Sequence, residues 1–264
     1  MSVYMGNNTV LTETFFGSKI YVDSEDISLS PHIIKGGHWE PWVTEFLIRE
    51  LRVGDVFLDI GANCGFFSLL ASRLVKARGF VVAFEPQAKL AELLSNSLAV
   101  NGHADTSRVV AKAVGETAGT AHLGQVGNFR GSASLTPGFG EPHPDATDVS
   151  VVTLTEALHE IASETGRELR PTVIKIDVEG YEFNVWKGMQ GVLDEAGSMV
   201  ILMEFSPIRY VDQGQDPHTF IKEMREKGFS LSRLNYQSME EDFDDAFVDE
   251  LIGNKGYFDL VMRR

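Results

Sequence analysis

The stretch Asp55-Val56-Phe57-Leu58-Asp59-Ile60-Gly61-Ala62-Asn63-Cys64-Gly65 runs from a short apolar segment straight into a glycine turn. A continuous apolar run of that length, closed by glycine, predicts a strand buried on both faces. Residues 66–75 then carry apolar positions at helical spacing, so the unit reads strand, tight turn, helix. The same alternation continues outward. Residues 79–84 predict a second strand, 88–100 a helix closed by Asn101-Gly102, and 108–114 a third strand. Strands are further expected at 149–154, 172–177 and 198–205, with helices at 155–163, from 178 through Leu193, and at 218–227. Two final strands, near 229–234 and 257–262, have no clear helix between them, which implies one antiparallel strand. Such alternation gives an α/β fold, a doubly wound, mainly parallel sheet covered on both faces.

Residues 1–50 read as an N-terminal extension to a main domain at 51–264. Lys19-Ile20-Tyr21-Val22 predicts a short strand. Residues 41–51 predict a helix, with Pro41 in its first turn and Trp42, Val43, Phe46, Leu47 and Leu51 at helical spacing. This extension is a candidate lid. Residues 124–148 hold many glycines and prolines and predict a long, irregular loop of the functional or mobile kind.

Bulk chemistry narrows the function. The chain has 264 residues, 43% of them hydrophobic, a formal net charge of −15 and one cysteine. One cysteine excludes an internal disulfide and a four-cysteine zinc site. The acidic balance disfavours nucleic acid, whose phosphates must be met by Lys and Arg. No apolar run reaches the roughly 20 residues of a membrane span, so a cytoplasmic location and no membrane partner are expected. The acidic run at 239–245 reads as a solvated face.

In a doubly wound sheet, ligands sit beyond the carboxyl ends of the strands. Functional residues should therefore follow Ile60, Phe84, Val114, Ile176 and Phe205. After Ile60, glycines allow a sharp turn and close approach to a ligand, and Asp59 either holds the turn or meets a cationic group. Asn63 and Phe66 stand where a dinucleotide fold wants its second and third glycines, which argues against NAD. Glu85 ends the second strand, about 20 residues past Gly65, as expected for a carboxylate that binds both ribose hydroxyls. A helix cap is the alternative for it. Asp177, at the tip of Thr172–Ile176, suits a general base, an orienter of an acceptor hydroxyl, or a metal ligand. Glu179 is placed to accept N–H bonds at the start of the next helix. Lys175 reads as an ion-pair partner or an edge residue, and Cys64 lacks any activating partner. Trp39, Trp42 and Trp186 read as packing, and Phe15-Phe16 as core or interface.

Taken together, residues 56–65, Ala83-Phe84-Glu85-Pro86 and residues 174–180 resemble the FkbM-type methyltransferases. Trp186-Lys187-Gly188 and Gly37-His38-Trp39-Glu40-Pro41 are also similar to that family, so the likeness covers about residues 36 to 206. The resemblance implies a class I, Rossmann-like methyltransferase fold with seven strands, S-adenosylmethionine as cofactor, and O-methylation of a small hydroxyl acceptor such as a secondary metabolite or sugar. By position it implies a cofactor loop of Asp59, Gly61, Ala62, Asn63 and Gly65. Glu85 would hold the ribose, Pro86, Gln87 and Ala113 the adenine side, and Asp177 the methionine end. Glu40 would close over the cofactor.

A hydroxyl acceptor must lose a proton, and Asp177, His38 and Glu204 are the candidate bases. Several carboxylates at one mouth also suit Mg²⁺, although a metal-free site is the preferred reading. The competing classes are an NAD-binding oxidoreductase and a non-catalytic module that kept the fold. A protein acceptor and a homodimer stay open.

Overall fold

A computed structural model describes residues 1–136 and 148–264 of the chain. Its centre is an eight-stranded sheet. Seven core strands run Val56–Ile60, Phe80–Phe84, Ser107–Val110, Val173–Ile176, Val200–Phe205, Ser230–Leu234 and Phe258–Arg263. Counted along the chain, they lie side by side in the order third, second, first, fourth, fifth, seventh, sixth. The seventh is antiparallel to both neighbours, and the others run parallel. A short exposed strand, Glu240–Asp242, pairs with the sixth and makes the eighth.

Apolar residues alternate along these strands into two cores. Leu58, Ile60, Val82, Phe84, Ile174, Ile176, Ile201 and Met203 face one layer of helices. Phe57, Val81, Ala83, Val173, Leu202 and Val261 face the other, built from Pro41–Glu50, Phe66–Val75 and Ala88–Val100. Trp186 is fully buried in the first core, the packing role its sequence suggested. Strand order places the first and fourth strands side by side at the centre, where the direction of winding reverses. The glycine turn and Asp177 therefore meet at one switch point.

Four expectations need correction. The predicted third strand at 108–114 is two pieces: Ser107–Val110 joins the main sheet, while Ala113–Val114 pairs with Asp148–Val152. Ala113, Leu123, Leu135, Val149 and Val151 bury one another in a small separate cluster, which draws the chain off the main sheet. The loop at 124–148 contains a hairpin, Gly124–Val126 with Phe129–Ser134; residues 137–147 lie outside the described residues. A helix, Asp245–Asn254, separates the last two core strands. It is capped by Asp244, whose side chain accepts the Ala246 N–H, so the acidic run at 239–245 is partly strand and partly cap. Lys175 sits on a central strand and is no edge residue.

The N-terminal extension is a three-stranded antiparallel sheet, Val3–Gly6, Thr9–Glu13 and Lys19–Asp23, followed by helices Ser30–Gly36 and Pro41–Glu50. Its edge strand Lys19–Asp23 docks on helix Ala88–Val100, where Tyr21 N–H donates to Ser97 Oγ at 2.9 Å. Asp26 then joins the extension to the hairpin. Its carboxylate accepts the N–H groups of Ser28, Leu29 and Ser30 and that of Arg130. Among the described residues, no helix is long and apolar enough to cross a membrane.

Candidate active site

The turn after Ile60 is held by the neighbouring strands. Gly61 and Ala62 both donate to the Phe84 carbonyl, and Asp177 N–H donates to the Ile60 carbonyl at 3.0 Å. Gly61 has φ +83, and a Cβ on it would lie 1.8 Å from the Asp177 carbonyl oxygen. A side chain there is sterically forbidden.

Glu85 is buried at the end of the second core strand. Its two carboxylate oxygens accept the Asn63 N–H at 2.8 Å and the Gln87 N–H at 2.9 Å. Burial pushes its pKa up to about 7, against those two N–H donors. The carboxylate is thus fixed in direction, with lone pairs left for further donors. It lines a narrow cavity with Gly61, Asn63, Pro86, Gln87, Ala113 and Asp177. Asp59 and Gly65 stand behind this wall. Asp59 is fully buried and accepts from Ser68 Oγ at 2.6 Å, while Gly65 packs against Leu94.

A second cavity, about 500 Å³ in volume, shares Gly61, Asn63, Gly131, Asp177 and Glu179 with the first. Ala62, His38, Trp39, Glu40, Trp42, Lys175, Glu204 and Tyr257 also line it. Glu40 therefore stands on the Asp177 side, away from Glu85. The extension brings it there with a left-handed backbone, φ 35, at the start of helix Pro41–Glu50. His38 is exposed at the rim and stacks on Phe15 at 4.5 Å. Phe15 is exposed, whereas Phe16 packs on Phe66.

The cavity floor is acidic. Lys175 Nζ donates to Asp177 at 2.8 Å and lies 5.0 Å from the Phe67 ring. Burial pulls the ammonium down, but Asp177, Asp59 and Glu40 together hold its pKa above the ordinary value. Burial, then Asp177, push Glu40 up to about 8. The same two causes push Glu179 up to about 7, against Arg209. Glu204 is held well above its ordinary range by burial and then by Asp177 and Glu179. Asp177, Glu179 and Glu204 bring ligand oxygens within 4.8 Å of one another, a grouping able to take an oxygen-seeking cation. Arg209 supplies counter-charge to two of them, at 2.6 Å from Glu179 and 3.5 Å from Glu204.

Several members were not legible beforehand. Glu179 pairs with Arg209 instead of accepting N–H groups at the start of the following helix; Glu182, the first residue of that helix, reaches back into the preceding turn, its Oε1 accepting the Val178 and Gly180 N–H groups, while Tyr210 donates to its other oxygen. Arg209, on the short helix after the fifth core strand, reaches back to the carboxylates. Asp259, on the antiparallel strand, lies in register opposite Glu204 and accepts the Trp42 indole N–H at 2.8 Å. Trp42 is thus a tether as well as packing. Glu204, at the end of the fifth core strand, was foreseeable from strand-tip logic; Asp259 enters from a strand of reversed direction, where that logic gives no signal.

This crowding sets a pH dependence. A carboxyl with a folded pKa above its unfolded value stabilises the fold below the unfolded value, and that contribution is lost as pH rises through the folded one. Asp259 titrates at about 6, Glu85 and Glu179 at about 7 and Glu40 at about 8. The ligand-free protein should therefore lose melting temperature steadily between about pH 5 and pH 8. A melting temperature that holds level or climbs over this window would show that these groups ionise freely.

The sequence profile of the methyltransferase FkbM domain matches residues 59–231. The chain belongs to the FkbM methyltransferase family. The match begins at Asp59 and takes in the glycine turn, Glu85, Asp177 and Glu204. Among curated relatives, the hexuronic acid methyltransferase AglP of Haloferax volcanii is 26% identical over 203 residues, covering 76% of this chain and 74% of that one. Methyltransferase sdnD of Sordaria araneosa is 27% identical over 209 residues, covering 70% of this chain and 78% of its own. Among solved structures, an FkbM methyltransferase from Methylobacillus flagellatus KT matches with a TM-score of 0.48 and 15% identity. That match covers 80% of this chain and 44% of the other. The family and the strand order together give a class I methyltransferase fold.

Proposed function

We propose that this FkbM methyltransferase transfers the methyl group of S-adenosylmethionine to a hydroxyl oxygen of a small acceptor. The observation that carries this is Glu85, a buried carboxylate aimed by two backbone N–H groups into a cavity that joins the acidic one at Gly61 and Asp177. Glu85 accepts the two ribose hydroxyls. Pro86, Gln87 and Ala113 line the adenine side, and Asn63 with Asp177 takes the methionine end. S-adenosylmethionine, when bound, would supply the methyl group, and the second cavity would receive the acceptor. A carboxylate of the floor would take the hydroxyl proton as the oxygen gains the methyl group. Alignment supplies much of the acceleration. A cavity of about 500 Å³ has room for a sugar-sized molecule.

Calorimetry with S-adenosylmethionine, S-adenosylhomocysteine and NAD tests the cofactor. The first two should bind and NAD should not; binding of NAD alone would overturn the reading. Glu85→Ala should weaken S-adenosylhomocysteine binding by about 1.5–3 kcal/mol for each ribose bond lost, roughly tenfold or more. Unchanged affinity would remove Glu85 from the ribose.

A further inference from the structure

The acidic cavity has more carboxyl groups than methyl transfer to a neutral hydroxyl needs. Glu40, Asp177, Glu179 and Glu204 line it. Asp259 stands behind Glu204 in register, and Asp59 lies behind Lys175, with its Oδ1 buried and without a hydrogen-bond partner. Against these six carboxyl groups stand, among the described residues, Lys175 and Arg209, with His32 and His38 at the rim. Burying carboxylates without counter-charge is costly unless they take up protons or meet a cation.

Three kinds of cation could answer this. The cofactor's sulfonium answers one charge only. A bare divalent ion on Asp177, Glu179 and Glu204 would compete with Arg209 for two of its ligands, and it would fill a small corner of about 500 Å³. An organic ammonium fits the remaining walls, because Trp39, Trp42 and Tyr257 line the same space as the carboxylates. Aromatic faces beside carboxylates favour a cationic carbon-bearing group over a hydrated ion.

We propose that the methyl acceptor is a hydroxylated amine, its protonated nitrogen held among Glu40, Asp177 and Glu204 and its carbon frame against Trp39, Trp42 and Tyr257. This rests on the methyl-transfer reading above. The same carboxylates direct the chemistry to oxygen. An ammonium kept protonated has no lone pair and cannot attack. The hydroxyl oxygen attacks instead: its bond to the methyl carbon forms as the S–CH₃ bond breaks, the electron pair stays on sulfur as a neutral thioether, and the hydroxyl proton passes to a carboxylate.

The test is a titration of protein saturated with S-adenosylhomocysteine against three ring-matched probes: glucosamine, glucose and glucuronate. Glucosamine should bind about tenfold tighter than glucose, and glucuronate weakest, since one favourable partly buried charge contact is worth about that factor. Glu40→Gln should narrow the ratio of glucosamine to glucose, a comparison made within one variant and so independent of its overall stability. Equal affinities, binding of none of the three, or glucuronate binding first would overturn the proposal. So would stoichiometric Mg²⁺ binding that abolishes the glucosamine preference, which would give the carboxylates to a metal ion. Failure of S-adenosylhomocysteine to saturate the protein would instead strike the methyl-transfer reading itself.

Discussion

Gly61→Ala should cost about 4–5 kcal/mol or more and leave little folded protein, although it adds a single methyl group. Two effects combine at this position. The backbone angle, φ +83, is one that alanine adopts only at a penalty of about 1–2 kcal/mol. The added Cβ would also lie 1.8 Å from the Asp177 carbonyl oxygen. That oxygen belongs to backbone, so the contact cannot be relieved by turning a side chain. Relief requires parting the first and fourth core strands where Asp177 N–H bonds the Ile60 carbonyl. Gly102 separates the two effects. It has φ +77, and a Cβ added there would meet nothing within 4 Å, so Gly102→Ala should show the conformational penalty alone. Thermal denaturation of both variants would decide the matter. If Gly61→Ala melts no lower than Gly102→Ala, the close approach of the two strand tips is not as tight as the structure has it.

That close approach also explains why much of the site could be read from sequence. Glycine at 61, glutamate at 85 and aspartate at 177 each follow a strand by one residue, and adjacent parallel strands bring such positions together without further information. Longer reach was not legible. Arg209 meets Glu179 across 30 positions, and Trp42 meets Asp259 across 217. No local periodicity encodes such pairs. The missed helix Asp245–Asn254 is different in kind, because Phe247, Val248, Leu251 and Ile252 do recur at helical spacing and do pack on the core. Its signal was obscured by the acidic residues around it, which read as solvent-facing although Asp244 serves as the cap. The third strand was misread for a third reason. Residues 108–114 read as one strand, and their division between two sheets depends on Leu123, Leu135, Val149 and Val151, which arrive later in the chain.

Asp177→Asn should lower methyl transfer by about 10²–10⁴-fold while changing S-adenosylhomocysteine affinity far less, if Asp177 takes or orients the hydroxyl proton. The substitution keeps the shape and removes the charge that pairs with Lys175 at 2.8 Å. Lys175 is buried, so its ammonium would then depend on Asp59 and Glu40 for compensation. A loss of stability should accompany the loss of rate, and the affinity measurement keeps the two apart, because a misfolded site would lose cofactor as well. Glu204→Gln is the matching experiment. Glu204 has its pKa held well above the ordinary range by burial and by Asp177, so it binds a proton more firmly than an ordinary carboxylate does. Should Glu204→Gln remove the acid limb of the rate profile while Asp177→Asn lowers the plateau, Glu204 receives the proton and Asp177 positions the hydroxyl. Equal turnover in Asp177→Asn and the parent protein would take Asp177 out of the chemistry and leave it as the counter-charge of Lys175.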